Sequence, residues 1–297
     1  EGEKQASLRH KVTPDDKLIR NMDSRSPQPH EYLLRSGSAE ECIDVAIVAE
    51  GYTAEEMETF MTDARTACEE IFKYEPFAQH KAKFNVVAVK VPSKQSNVSV
   101  PQDDEWRETA LNSNFMTFYS PRYLTTNSVH AIHDALAGID YEHLIILANT
   151  DTYGGGGIYN SYTLTTAHNP MFKPVVVHEF GHSFGALADE YFYEHADHTD
   201  GTYKLGYEPW EQNIPTMVDF ESKWKDMVAE GVEIPSQPTK ERQENYTIGV
   251  YEGGGYMTKG MYRPAVICRM RDNVATQFCE VCQRTIERII LYNTEQE

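Results

Sequence analysis

The chain has 297 residues, of which 40% are hydrophobic, 11% aromatic and 25% charged, a composition that excludes a disordered or fibrous protein. Forty-six acidic residues against 27 basic residues give a formal net charge of −19. Such a surface repels the phosphates of nucleic acids and anionic membranes, so we expect no nucleic acid as a partner. No apolar run approaches the roughly 18 residues of a membrane-spanning helix. The start EGEKQASLRHK is polar, so we expect either a cytosolic protein or the mature part of an exported one.

The first 40 residues are rich in Lys, Arg, Ser and Pro, and we expect an arm there or the remnant of a preceding module. A single folded domain should then extend over residues 41–297. Three short runs of apolar and β-branched residues predict buried strands, at 43–49, 84–91 and 143–149.

Helical patterns separate these strands. Thr53 and Glu56 form a capping box, and apolar residues then recur at helical spacing as far as Phe72. A second helical pattern covers about 123–137. Strands that alternate with amphipathic helices predict a mostly parallel α/β sheet. Later in the chain we expect a short helix at 220–229 and a final amphipathic helix at 276–292.

Four consecutive glycines occupy positions 154–157, and the residues that follow them, 158–166, favour a strand over a helix. The glycines are only a weak indication of a phosphate-binding loop, because no Gly-Lys-Ser/Thr follows them. Close approach of backbone, in a tight turn or beside an extended ligand, explains them better, although a flexible hairpin tip is an equal alternative.

The stretch VVVHEFGHSFGALADEY, residues 175–191, carries the main chemical motif. His178 and His182 are one helical turn apart, a spacing that lets two imidazoles bind one Zn²⁺. Glu179 lies beside them and could take a proton from the water that the zinc activates. The alternative, two core histidines beside an unrelated glutamate, would bury polar groups without partners.

A catalytic zinc site needs a third protein ligand. In zinc peptidases with the pattern His-Glu-x-x-His-x-x-Gly-x-x-His that ligand follows six residues after the second histidine, and here the position is Ala188. We expect Asp189 instead, provided that the chain turns back after the helix, with Gly185 in the left-handed conformation that ends it. The remaining candidates are Glu190, His195 and His198.

Several motifs, in this order and spacing, resemble the IgA-peptidase family of metallopeptidases over about residues 42–292. They are VAEGYT, NVSVP, NTDTYGGGGIY, HEFGHSFGALADEYF, GGGYMTKGMYRP, CRMR and FCEVC. The resemblance implies a metzincin-like zinc endopeptidase, with residues 41–297 as its catalytic domain. It implies a mixed, mostly parallel twisted sheet with an edge strand, an active-site helix and a C-terminal helix.

The resemblance also implies the roles of site residues. His178, His182 and Asp189 would bind Zn²⁺, and Glu179 would be the catalytic base. Members are usually exported by bacteria, so we expect a secreted, periplasmic or cell-surface protein that acts on an extracellular protein. Immunoglobulin A is the best-known substrate in the family, but the resemblance does not identify the substrate of this chain.

Metzincins have a methionine in a tight turn beneath the metal. Met270 is our first choice for it and Met261 the second, although each could equally be a core methionine. Tyr256 or Tyr262 could donate to the oxyanion of the reaction. For substrate binding we expect main-chain pairing of an extended peptide along the glycine strand. The predicted binding residues are Gly155, Gly156, Gly157 and Tyr262.

The cysteine pair Cys279 and Cys282 has the spacing of half a structural zinc site, but no second pair stands at the usual distance in the sequence. A disulfide from Cys268 to one of them is therefore the preferred interpretation, and buried thiols are the alternative for a cytosolic protein. Two other functions stay open: a surface binding module on an inactive peptidase scaffold, and a zinc amidase that acts on cell-wall peptide.

Overall fold

The structure is a computed structural model that describes residues 13, 15–17, 19, 27–193 and 203–295. Among these residues, eight strands and five α-helices are present. The strands are β1 (His30–Leu34), β2 (Ile43–Glu50), β3 (Phe84–Val89), β4 (His143–Ala148), β5 (Gly155–Ile158), β6 (Tyr162–Thr166), β7 (Tyr251–Gly254) and β8 (Met257–Arg263). The helices are α1 (Met57–Ile71), α2 (Val129–Ala135), α3 (Phe172–Ser183), α4 (Lys240–Glu244) and α5 (Glu280–Thr294).

Six strands form one mixed sheet in the order β1-β3-β2-β4-β6-β5. The four central strands run parallel, and β1 and β5 pair antiparallel at the two edges. The prediction of a mixed, mostly parallel α/β sheet is therefore confirmed. Strand β1 lies within the segment that the sequence assigned to an arm, so the sheet begins before the expected boundary at residue 40.

Both faces of the sheet are covered. The side chains of Val45 and Ile47 in β2 face a core shared with α1, α3 and α5, whereas Ala46 and Val48 face a second core that includes α2. This alternation follows from the period of two along a strand, and it explains why the central strands are apolar throughout. None of the described helices is long and apolar enough to cross a membrane.

The capping box holds as predicted, since the backbone N–H of Thr53 donates to Glu56 Oε2 at 2.8 Å. Other local predictions were wrong in detail. The helix expected at 220–229 is two separate 3₁₀ turns, and the helix expected at 123–137 extends only over α2. The strand expected at 158–166 is a hairpin, β5 and β6, whose first strand consists mainly of the glycines. The antiparallel pair β7 and β8 was not predicted at all.

The glycine strand β5 lies directly against helix α3. A Cβ atom at Gly157 would collide with the carbonyl oxygen of Glu179 and lie 2.8 Å from Cβ of His182. At Gly156 the nearest atom would be the carbonyl oxygen of Leu124, at an ordinary 3.4 Å. Close backbone approach therefore explains the glycine at 157, and the approach is to α3.

This packing predicts different effects for two adjacent glycines. Gly157→Ala should lower the free energy of unfolding by about 1–3 kcal/mol, because the added methyl group forces β5 away from α3. Gly156→Ala is the matched control and should change it by less than about 0.5 kcal/mol. Urea unfolding of both variants measures the difference. Equal stabilities would show that β5 and α3 are not held at this separation.

Candidate metal centre

Helix α3 presents His178, Glu179 and His182 from its last turns. Its apolar residues, Val176, Val177 and Phe180 among them, are buried in the main core, which fixes the orientation of the helix. The polar side chains consequently emerge on the remaining face, towards β5 and the segment that follows the helix.

The chain reverses immediately after α3. The backbone N–H groups of Ala186 and Leu187 donate to the carbonyl oxygens of His182 and Gly181, at 3.1 and 3.2 Å. Ala186 takes the left-handed conformation, with φ 54°. The prediction that Gly185 takes it is wrong. Gly185 is required for space instead, since a Cβ atom there would lie 2.7 Å from the carbonyl oxygen of Gly181.

The reversal brings three potential ligand atoms together. Nε2 of His178 and Nε2 of His182 are 3.1 Å apart, and Asp189 Oδ1 lies 3.0 Å from the first and 3.2 Å from the second. All three side chains are largely buried, with 13%, 15% and 6% of their surface exposed. The structure therefore brings together the two histidines of the motif and the aspartate chosen from the sequence.

Hydrogen bonds fix the tautomer of both rings. Nδ1 of His178 lies 2.9 Å from the carbonyl oxygen of Arg269, and Nδ1 of His182 lies 2.6 Å from that of Leu187. A carbonyl oxygen only accepts, so both Nδ1 atoms carry the proton. Each ring therefore directs its other nitrogen, Nε2, at the other ring and at a carboxylate oxygen. Such an arrangement is repulsive unless a proton or a metal ion lies among the three atoms, and two nitrogens with one oxygen are a ligand set that suits Zn²⁺.

Electrostatics also favour a cation here. Burial alone would raise the pKa of Asp189, but His182 and His178 lower it well below its usual value. Burial alone would lower the pKa of His182, but Asp189 raises it to about 9. The negative potential of the buried aspartate thus stabilises positive charge at the convergence point.

The second oxygen of Asp189 is held by Tyr256, whose hydroxyl donates to Oδ2. The main chain reinforces the contact, because the N–H of Gly255 donates to the carbonyl oxygen of Asp189 at 2.9 Å. Tyr256 was considered from the sequence as an oxyanion donor, and in the structure its hydroxyl is bonded to the third ligand candidate. Tyr262 lies elsewhere, packed against the main core, so the structure does not bring it to the site.

Glu179 lies beside the two histidines, among the residues that line a cavity of about 610 Å³. Burial raises the pKa of its carboxyl group, while the two histidines and a hydrogen bond from the N–H of Gly157 oppose that rise. A carboxylate with a raised pKa in a cavity is suited to accept and return a proton.

The segment before α5 passes beneath the site. Arg269 supplies the carbonyl oxygen that orients His178, and the next residue, Met270, is fully buried against α3. A Cβ atom on Gly181 would lie only 2.5 Å from the sulfur of Met270, so the methionine packs directly against this glycine. Met261, the second choice, packs instead in a small separate core with Met257.

The cavity extends from the convergence point past the glycines at 155–157 to an exposed aromatic rim. Arg122 stands on one side of it, within 5.5–6.0 Å of three tyrosine rings. The rim was not predicted, because its residues come from separate loops without a shared sequence pattern. The large exposed side chains that line the cavity are Phe118, Tyr153, Ile158, Tyr159, Tyr193 and Trp210.

The other ligand candidates are not at this site. Glu190 belongs to a different buried group, with Oε1 at 3.0 Å from the sulfur of Cys282. His195 and His198 lie outside the described residues. The predicted disulfide from Cys268 is wrong, because all five cysteines, each in the described part of the chain, are free thiols.

No curated protein matches the chain significantly. A model of one protein family, described as IgA Peptidase M64, does match it, over residues 32–247 and 238–290. The match covers most of the chain and confirms the resemblance drawn from the motifs. The chain therefore belongs to the IgA peptidase family of metallopeptidases.

Proposed function

We propose that the protein is a metzincin-like zinc endopeptidase that cleaves a protein substrate in the cavity above α3. One observation carries the proposal. Two imidazoles whose Nδ1 atoms are bonded to carbonyl oxygens direct their Nε2 atoms, with one oxygen of Asp189, at a common point. Membership of the family supports a peptidase activity. The convergence of these three atoms is the reason to propose zinc as its metal.

His178, His182 and Asp189 would hold the ion through two nitrogens and one oxygen, the ligand set of a catalytic rather than a closed structural site. A bound Zn²⁺ supplies an acidified water near neutral pH and polarises the carbonyl group of the substrate. Tyr256 keeps Asp189 in place through Oδ2 and leaves Oδ1 for the ion. Met270, packed beneath Gly181, supports the helix from below as the methionine of a metzincin would.

Glu179 is the proton carrier. Its carboxylate takes a proton from the attacking water as the new C–O bond forms at the peptide carbonyl. The same proton then passes to the amide nitrogen, so that the C–N bond breaks and a neutral amine leaves. The raised pKa of Glu179 suits both transfers, because the group must bind the proton and also release it.

The substrate would lie along β5. Tyr123 already forms a bridge with Gly155, and the N–H of Gly157 bonds to Glu179, so main-chain pairing is limited to the backbone groups that these contacts leave at the end of the strand. The aromatic rim faces this path and offers apolar contacts to substrate side chains. Action outside the cytoplasm on an extracellular protein is part of the proposal and is supported by the family resemblance alone.

The role of Glu179 is tested by Glu179→Gln, which keeps the size of the side chain and removes the base. We expect kcat/KM on a peptide library to fall by about 10²- to 10⁴-fold. Zinc content and the unfolding midpoint should be unchanged. The control, Glu58→Gln, alters an exposed side chain and should keep full activity. A fully active Glu179→Gln enzyme would exclude this residue as the base.

Metal dependence has its own test. A chelator should abolish cleavage by the native enzyme, and added Zn²⁺ should restore it. A native protein that carries zinc but cleaves no member of a peptide library would favour the binding-module alternative. Digestion of cell-wall peptide alone would favour the amidase.

The bond from Tyr256 to Asp189 predicts an effect on metal affinity. Tyr256→Phe removes the hydroxyl donor, and we expect zinc affinity to fall by about 10- to 100-fold, the range for a group that orients a ligand. Tyr292→Phe, at an exposed position on α5, is the matched control. Competition with a coloured zinc chelator gives both affinities. Equal values would mean that the tyrosine does not hold the aspartate.

A further inference from the structure

A second group of potential metal ligands lies in the core. It consists of Cys268, Cys279, Cys282 and Glu190, and one ligand atom from each lies within 4.8 Å of the others. All four residues are fully buried, with 0% of their surface exposed. None of them belongs to the site described above, so the group needs an explanation of its own.

The spacing of the sulfurs fits a shared ion better than a disulfide. Sγ of Cys268 and Sγ of Cys282 are 3.8 Å apart. A disulfide requires about 2.05 Å. Two sulfurs that each lie about 2.3 Å from a tetrahedral Zn²⁺ are about 3.8 Å apart.

Glu190 supplies an independent observation. Its Oε1 accepts a hydrogen bond from Asn213 Nδ2 at 3.0 Å and lies 3.0 Å from the Cys282 sulfur. Its Oε2 is buried and has no hydrogen-bond partner among the residues that the structure describes. An ionised carboxylate in the core with an unpaired oxygen is costly, so Glu190 is expected either to be protonated or to coordinate a metal. Glu190 is the only carboxylate in the cysteine group, so its unpaired oxygen lies where a metal ligand is expected.

Burial raises the pKa of the Cys279 and Cys282 thiols, so both need positive charge nearby to become thiolates. Cys279 caps the amino end of α5 and Cys282 lies in its first turn, where the helix dipole stabilises negative charge. The N–H of Cys279 donates to Sγ of Cys268 at 3.3 Å. Arg263 and Arg271 interact electrostatically with Glu190 and offset part of the negative charge of the group.

We propose that Cys268, Cys279, Cys282 and Glu190 bind a second, structural Zn²⁺. Three sulfurs and one carboxylate oxygen complete a tetrahedron and leave no position for water or substrate, as in closed structural sites. Glu190 and Cys268 supply the second half of the site. The spacing of the cysteines in the sequence did not reveal it.

This ion would also position the first site. Glu190 follows Asp189 directly, and Cys268 precedes Arg269, whose carbonyl oxygen orients His178. The N–H of Glu190 donates to the carbonyl oxygen of Met270 at 2.9 Å, which joins the two segments. A metal that binds Glu190 and Cys268 would therefore hold Asp189 in position relative to the carbonyl oxygen of Arg269, which orients His178.

A redox role for the Cys-x-x-Cys pair is the competing interpretation. Such pairs also lie at helix amino ends, but catalytic cysteines are partly exposed. The complete burial of all three sulfurs disfavours exchange with an outside thiol or disulfide.

The test separates the two ions by emptying the first site. The double variant His178→Ala/His182→Ala, purified with a reductant, should retain one zinc per chain where the native protein holds two. X-ray absorption at the zinc edge of the variant should show sulfur neighbours at about 2.3 Å. A folded double variant without zinc, or with zinc that has no sulfur neighbours, would overturn the proposal. A disulfide among the three cysteines in native protein prepared without reductant, detected by mass spectrometry, would also overturn it.

A cysteine variant in the same background supplies the control. Adding Cys282→Ser should remove the remaining zinc, whereas adding Cys42→Ser, at a half-buried thiol outside the group, should leave it bound. If Cys282→Ser prevents folding, the X-ray absorption spectrum of the double variant still shows whether the remaining zinc has sulfur neighbours. A native protein with only sulfur-bound zinc would refute the proposed catalytic site and leave this one standing.

Discussion

The chain reversal after α3 is the constraint on which the candidate site depends. Had the helix continued, Asp189 would lie 11 residues and about 16 Å along the axis from His178. Instead the helix ends at Ser183, and Ala186 adopts a left-handed conformation that costs a residue other than glycine on the order of 1–2 kcal/mol. Hydrogen bonds back to the last helical turn offset this cost, and the aspartate reaches both imidazoles.

The reversal is held from two sides. On one side the hairpin of β7 and β8 supplies Tyr256 and the N–H of Gly255, which bond to the side chain and main chain of Asp189. On the other side the segment before α5 supplies the carbonyl oxygens of Arg269 and Met270. The geometry of the site is therefore a property of three regions far apart in sequence, and the helix alone does not determine it.

The sequence predicted the parts of this arrangement that are local. The spacing of His178 and His182, the apolar face of α3 and the central strands each follow from a periodicity within a short segment. Asp189 could be chosen from the sequence because it reaches the histidines only if the chain turns back after the helix. The residue that makes this turn was predicted wrongly. Gly185 has the freer backbone, but its position is decided by contact with Gly181.

What the sequence did not predict depends on contacts between distant segments. The β7 and β8 pair was missed because its glycines obscure the alternation of a strand, and the carbonyl groups that fix the histidine tautomers leave no trace in residue identity. The cysteines were expected to pair with each other. Their grouping with Glu190 joins residues 92 positions apart and becomes visible only in the fold.

The glycine strand beside α3 has a consequence for selectivity. Residues 155–157 present backbone but no side chains to the cavity, so this wall cannot distinguish one substrate side chain from another by shape or charge. With the substrate along β5, as proposed, discrimination among cleavage sequences would come from the exposed rings that line the cavity, among them Trp210 and Tyr159, whose tilted rings lie 5.3 Å apart. Relatives that share the glycines but differ in those rings would cut with the same chemistry at different sequences.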